Sequence, residues 1–232
     1  MIRDRAVKSR SIVHVVLSTT LLFAAAACNS TDNTDPAPVA TTVTAAENVD
    51  GQTATVGEDT DAPMSVVVRD QDGDVVANAP VTWTVTAGGG AVGSATTNTN
   101  ASGVATTSFT LGTTAGANTV RAALSGGASV SISATGVADD PSSATTSSGG
   151  TQAIAAGSVS APLVVTVRDQ YGNAVSGATI VWASVSSGLS ITSSTTNANG
   201  QAQATLTPAV AGVHLVIATV GTASATFTIT AS

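Results

Sequence analysis

A single cysteine in 232 residues, Cys28, excludes an intrachain disulfide framework. Lysine is equally scarce, Lys8 alone, and beyond residue 27 the only basic side chains are Arg69, Arg121 and Arg168, against thirteen carboxylates. A surface of that sign repels nucleic acid, whose phosphates need clustered Lys and Arg. Its acidity serves to keep an exported chain soluble. Histidine is nearly absent too. His214 is the only one after residue 27, no serine lies in a G-x-S-x-G setting, and a nucleophile-base constellation has little to be built from. Helical spacing is missing from every window of ten or more residues beyond the N-terminal segment.

What is present begins with a leader. Arg3, Arg5, Lys8 and Arg10 precede the uncharged run "SIVHVVLSTTLLFAAAA", residues 11–27, the arrangement of an export signal. The run contains Ser11, His14 and Ser18-Thr19-Thr20 and ends in small residues without a basic stop, so it is set apart from fold reasoning and is not a membrane span. Cys28 follows Ala25-Ala26-Ala27 directly and resembles the lipobox cysteine of bacterial lipoproteins, which implies diacylglycerol on its sulfur and a new N-terminus. Ala25 stands where that family usually has Leu, and the alternative is ordinary A-x-A cleavage that leaves a free thiol. Each buried acyl methylene contributes about 0.8 kcal/mol, so two or three chains would hold the protein on a membrane. Residues 1–27 are thus expected to be a signal peptide and 28–43 a lipidated N-terminus and tether. Its fifteen residues after the cysteine would span about 20 Å as a coil and at most about 50 Å extended.

The rest is written twice. "APMSVVVRDQDGDVVANAPVTW" at 62–83 answers to "APLVVTVRDQYGNAVSGATIVW" at 161–182 without a gap, and "TTNTNASGVATTSF" and "AGANTVRAAL" answer to "TTNANGQAQATL" and "AGVHLVIATV". Domains are expected at 44–138 and 139–232. Within each, apolar residues alternate: Met64, Val66 and Val68, then Val81, Trp83 and Val85, and in the second copy Leu163, Val165 and Val167, then Ile180 and Trp182. Turn residues separate the runs. About seven short strands per copy is the rhythm of an immunoglobulin-like sandwich, so the fold class is all-β, two tandem sandwiches after a signal peptide and a short linker.

The segments "PLVVTVRDQYGNAVSGATIVW", "TTNANGQA" and "AGVHLVIATVG...ATFTITAS", in that order and in both copies, resemble the bacterial immunoglobulin-like domains of group 1, the invasin and intimin type. That resemblance implies rigid spacer or adhesive units of a cell surface, with no cofactor. Unlike the family's large members, the chain is expected to carry neither a β-barrel anchor nor a terminal lectin-like domain.

Asp70, Asp72 and Asp74 alternate as in a calcium loop, but the Gly and bidentate Glu of an EF-hand are Val75 and Val81 here, and the second copy keeps only Asp169. The shared feature is a turn, with Gly73 and Gly172 supplying positive φ. A weak cation contact at the three aspartates stays open, as does one at Asp139 and Asp140 in the junction. Trp83 and Trp182 lie in phase with inward valines and isoleucines, which makes them core residues before sugar platforms. Tyr171, in the turn, and His214, on a strand, are expected to face solvent, and the loop "TAGGGAVGSA" (86–95) to lie at a far, ligand-facing end. The partners that follow are a membrane, through lipid, and a surface protein or glycan. The alternative function is a carbohydrate-binding accessory module.

Overall fold

The computed structural model describes residues 37–232; the leader, Cys28 and the tether up to residue 36 lie outside the described residues. The first module places β1 (Thr42–Ala45), β3 (Met64–Arg69) and β7 (Val104–Thr107) in one sheet, in the order β1-β3-β7. The facing sheet has β2 (Gln52–Thr55), β4 (Pro80–Ala87), β6 (Thr96–Asn98), β9 (Gly116–Ala123) and β10 (Ser129–Val137), in the order β2-β10-β9-β4-β6. A short ribbon joins β5 (Ala91–Val92) to β8 (Phe109–Thr110). The second module repeats both sheets: β11 (Ser143–Ser148), β13 (Leu163–Arg168) and β16 (Gln201–Ala204) against β12 (Thr151–Ile154), β18 (Ala223–Ala231), β17 (Gly212–Val220), β14 (Thr179–Ser184) and β15 (Ser193–Thr195). Both modules are all-β sandwiches of immunoglobulin type.

The strand count exceeds seven because the opening strand of each module is broken and, in the first module, because of the added β5–β8 ribbon. β1 pairs antiparallel with β3, and after a turn through Asn48 and Gly51, both at positive φ, β2 pairs parallel with β10 in the other sheet. β11 and β12 do the same against β13 and β18. A glutamine pins each crossing: Gln52 Nε2 donates to the carbonyls of Val49 and Ala62 while its Oε1 accepts from Ala62 N, and Gln152 does likewise with Gly149 and Ala161.

Period-2 alternation puts every second side chain into the space between the sheets. In β18 these are Ala225, Phe227, Ile229 and Ala231; in β10, Ile132 and Ala134. Trp83 and Trp182 are each 2% exposed, and each indole N–H donates to a hydroxyl at the neighbouring edge strand, Thr97 and Ser194, at 2.8 Å. Buried tryptophan needs such a partner because an unpaired donor in the core loses its water without compensation. Phe227 packs on Trp182 with centroids 5.8 Å apart; the first module has Ile132 in the corresponding place.

Replacing Trp182 by Ala empties the largest side chain of the second core and is expected to destabilise that module by about 3–5 kcal/mol. Urea unfolding followed by circular dichroism checks this; a loss under about 1 kcal/mol would contradict the packing.

Candidate functional site at the module joint

The two equivalent turns, Asp70–Asp74 and Asp169–Asn173, have one architecture. The lead aspartate points inward and its Oδ1 accepts the amides two and four residues on: Asp72 N and Asp74 N at 3.0 and 2.9 Å, Tyr171 N and Asn173 N at 2.9 and 2.8 Å. Gly73 and Gly172 close the turn at φ 89° and 88°, where an L side chain is strained. The preceding arginine donates Nη1 to the glycine carbonyl in both, Arg69 to Gly73 at 2.7 Å and Arg168 to Gly172 at 2.6 Å. The lead carboxylates therefore serve their own turns, and Asp72 Oδ2 accepts from Gln71 Nε2. Among the described residues no group of three or more His, Cys, Asp or Glu side chains is placed to hold a metal ion.

The turns part company in their exposed positions, where Asp72 and Asp74 are matched by Tyr171 and Asn173. The second turn lies against the end of the first module. Asn173 uses both ends of its amide there: Nδ2 donates to Thr113 O at 2.8 Å and Oδ1 accepts from Ala115 N at 2.9 Å. Tyr171, expected in solvent, keeps 46% of its surface exposed but lays its ring over Gly57, where a Cβ would stand 3.0 Å from the phenolic oxygen. Asp139 continues the joint. Its amide donates to Asp169 Oδ2 at 3.1 Å, and its Oδ2 accepts from Gln170 Nε2 at 2.7 Å. Two peptide-like bonds, one aromatic contact and a hydrogen-bonded linker thus hold the second module's leading end to the first module's trailing end.

The loop 86–95 is at that same end rather than a far one. Gly88 and Gly112 approach so closely that a Cβ on Gly112 would stand 1.7 Å from Gly88 O, and Gly112 is next to the Thr113 that Asn173 grips.

Burial, the largest single influence, pushes the Asp169 carboxyl up, but hydrogen bonds from the Asn173 side chain and from the amides of Asp139, Asn173 and Tyr171 together outweigh it and hold the group below the usual aspartate range. With the folded-state value below the unfolded one, its stabilisation is present above about pH 4 and is lost as pH falls through the folded-state value.

Other candidates resolve into structure. His214 is buried, since the phase of β17 turns 214, 216 and 218 inward and leaves 213, 215 and 217 outward, the reverse of the expected placement. Its Nε2 lies 2.9 Å from Val210 O, which can only accept, so Nε2 carries a proton, and Nδ1 is hydrogen-bonded with the Ser186 hydroxyl at 2.6 Å. In the first module Asn118 fills this slot and ties Gly112 N to Gly116 O. Both are loop ties. A cleft of about 480 Å³ in the second module is lined by Ser147, Ser148, Thr195, Gln201 and Gln203 among others, hydroxyls and amides without a titratable group.

Asn173→Asp, which copies Asp74, removes the amide donor and sets a carboxylate against the Thr113 carbonyl. Small-angle scattering is expected to show a broader distribution of interatomic distances for this variant; an unchanged profile would mean that the amide does not hold the joint. In the unaltered chain the same broadening is expected as pH drops below about 4, and Asp169→Asn should remove much of that pH dependence.

The family model for the bacterial Ig-like domain (group 1) matches residues 42–137 and again 143–232. No curated protein matches the chain. Among solved structures, FdeC, an adhesin of Escherichia coli, is 25% identical with a TM-score of 0.62, over 84% of this chain and 66% of that one. InvD of Yersinia pseudotuberculosis is similar in fold, at 18% identity and a TM-score of 0.54, over 82% of this chain and 57% of its own. The D0-D1 domain of intimin aligns at 23% identity and a TM-score of 0.36, over 82% of this chain and 95% of that one. With both matches spanning one sandwich each, the chain belongs to the group 1 bacterial immunoglobulin-like domain family and carries two of its domains in tandem.

Proposed function

We propose that this is an exported, lipid-anchored envelope protein whose two domains form a non-catalytic adhesive spacer. The observation that carries the adhesive reading is the likeness to the Escherichia coli adhesin FdeC over 84% of the chain. The joint supports the spacer reading. A display arm must transmit position, and Asn173, Tyr171 and Asp139 fix the second domain on the first instead of leaving it on a free linker. Cys28 after four alanines supports the anchor, and the polar residues that follow it would hold the domains off the bilayer. Partners would be surface proteins or glycans met by the faces and edges of the strands. A glycan would have to bind without indole stacking, because both tryptophans lie in the cores.

Radiolabelled palmitate is expected to enter the protein and to be lost on Cys28→Ala; equal incorporation in both would remove the anchor. For the adhesive half, beads coated with the chain should capture a surface component, and hydrolysis of an esterase, glycosidase or protease substrate in proportion to added protein would overturn a non-catalytic role.

A further inference from the structure

From residue 170 to 232 the chain has no Asp, Glu, Lys or Arg, whereas the first domain has eight carboxylates and two arginines. Charge and exposed apolar surface are divided between the domains. Of the twelve large apolar side chains exposed among the described residues, nine are in the second domain. Five of the nine are grouped on one face. Val213, Leu215 and Ile217 form the outward column of β17, with Val181 and Ala183 on β14 and Val185 just beyond it alongside, and outward threonines of β18 on the other flank.

The first domain is the internal control. Its corresponding outward residues are Ala117, Thr119 and Arg121 on β9 and Thr82, Thr84 and Thr86 on β4. The same sandwich is built there without an apolar face, so the fold does not require one. We infer that this face of the second domain binds the same face of a second copy of the chain, with the strands of the two copies running in opposite directions.

Three observations select that occupant. A charged partner would find nothing to pair with on this face and would lose its hydration on docking, so the partner surface must itself be neutral and apolar, as the face is. The area suffices for a reversible pair when the whole outer face of the five-stranded sheet is covered, with the apolar columns at its centre: thirty-one strand residues, at about 3.3 Å of rise and about 4.8 Å of spacing, cover about 500 Å² per copy, or about 1,000 Å² in total, the floor for a specific interface. End-to-end stacking of copies is opposed by Asp72 and Asp74, which stand where Tyr171 and Asn173 make the intramolecular joint. Direction follows from charge. Side by side in parallel, two acidic first domains would lie together; in the antiparallel pair they point apart, beyond the screening length of about 8 Å at physiological salt. If the chain is tethered as proposed, that geometry joins copies on facing surfaces, which deepens the adhesive reading, but the pairing itself does not depend on the anchor.

The test uses the full chain in intact cells with a membrane-permeant bis-maleimide. Leu215→Cys, at the centre of the face, is expected to give a dimer, and Arg121→Cys, on the corresponding face of the first domain, about tenfold less. Adding Val181→Thr and Ile217→Thr to Leu215→Cys should cut the yield about tenfold, with a soluble, folded chain, since the first domain carries polar residues at both places. Equal yields at the two cysteines, a yield untouched by the threonines, or an adduct with a protein of another mass would overturn the pairing. Oxidative disulfide formation between differently tagged Val213→Cys and Ile217→Cys copies fixes the direction: mixed dimers in excess are expected, and an excess of like pairs would overturn the antiparallel arrangement. Palmitate labelling is read separately, and the unsubstituted chain under the same reagents gives the background from a Cys28 thiol, so a failed anchor and a failed pair are distinguishable.

Discussion

Each sandwich depends on the chain changing sheets before its first strand is complete. Two sheets of modest strands, with cores built mostly of Val, Ala, Ile and Leu, would otherwise be held face to face by apolar contact alone. By running antiparallel on β3 and then parallel on β10, the opening segment becomes a member of both sheets. The crossing exposes backbone groups that neither ladder can satisfy, and Gln52 and Gln152 satisfy them: one side chain supplies two donated bonds and one accepted bond across nine or ten residues of chain. In a chain whose single cysteine allows no inter-sheet disulfide, this staple helps keep the ends of the sandwich shut.

The joint reuses a part already required for that fold. An aspartate that feeds its own turn's amides would be present in either domain whether or not anything docked on it. Such a turn is stiff, because its shape is set by internal hydrogen bonds, and a stiff loop at the leading end of a domain is a ready contact surface that loses little entropy on docking. Changing two exposed side chains, to Tyr171 and Asn173, is enough to make it adhere to the preceding domain. Leaving them acidic, as Asp72 and Asp74, keeps the first domain's turn solvated.

Much of this was legible from the sequence, for identifiable reasons. Duplication made the alternation readable twice, and a tryptophan in phase with inward valines has nowhere to go but the core. What stayed hidden depends on which residues meet across space. The parallel pairing of β2 and β12 escaped because four-residue polar strands such as "QTAT" lack a strong period. Gln52 and Gln152 look like any surface glutamine, and their only signal is recurrence in both copies. Buried Thr99 and Thr196, each accepting one backbone amide and donating to one carbonyl, have the same weak signature. His214 was misplaced because Val213, Leu215 and Ile217 form the more apolar phase, and hydrophobicity alone assigns that phase to the core.

That inversion is itself informative. In a half-buried strand the larger apolar set faces inward because burial of each such side chain is worth about 1.5–3 kcal/mol, and a one-residue slip would expose them all. β17 keeps the register that puts His214, Val216 and Ala218 inside, where the pairing with β18 matches them to Phe227 and Ile229. The outward Val, Leu and Ile therefore were not placed by the needs of this sandwich, since its twin manages with Ala, Thr and Arg at the same positions. A surface that departs from its own internal copy from polar to apolar at five neighbouring positions and from Ala to Val at a sixth, in a domain with no charge beyond Asp169, is selected by something outside the fold.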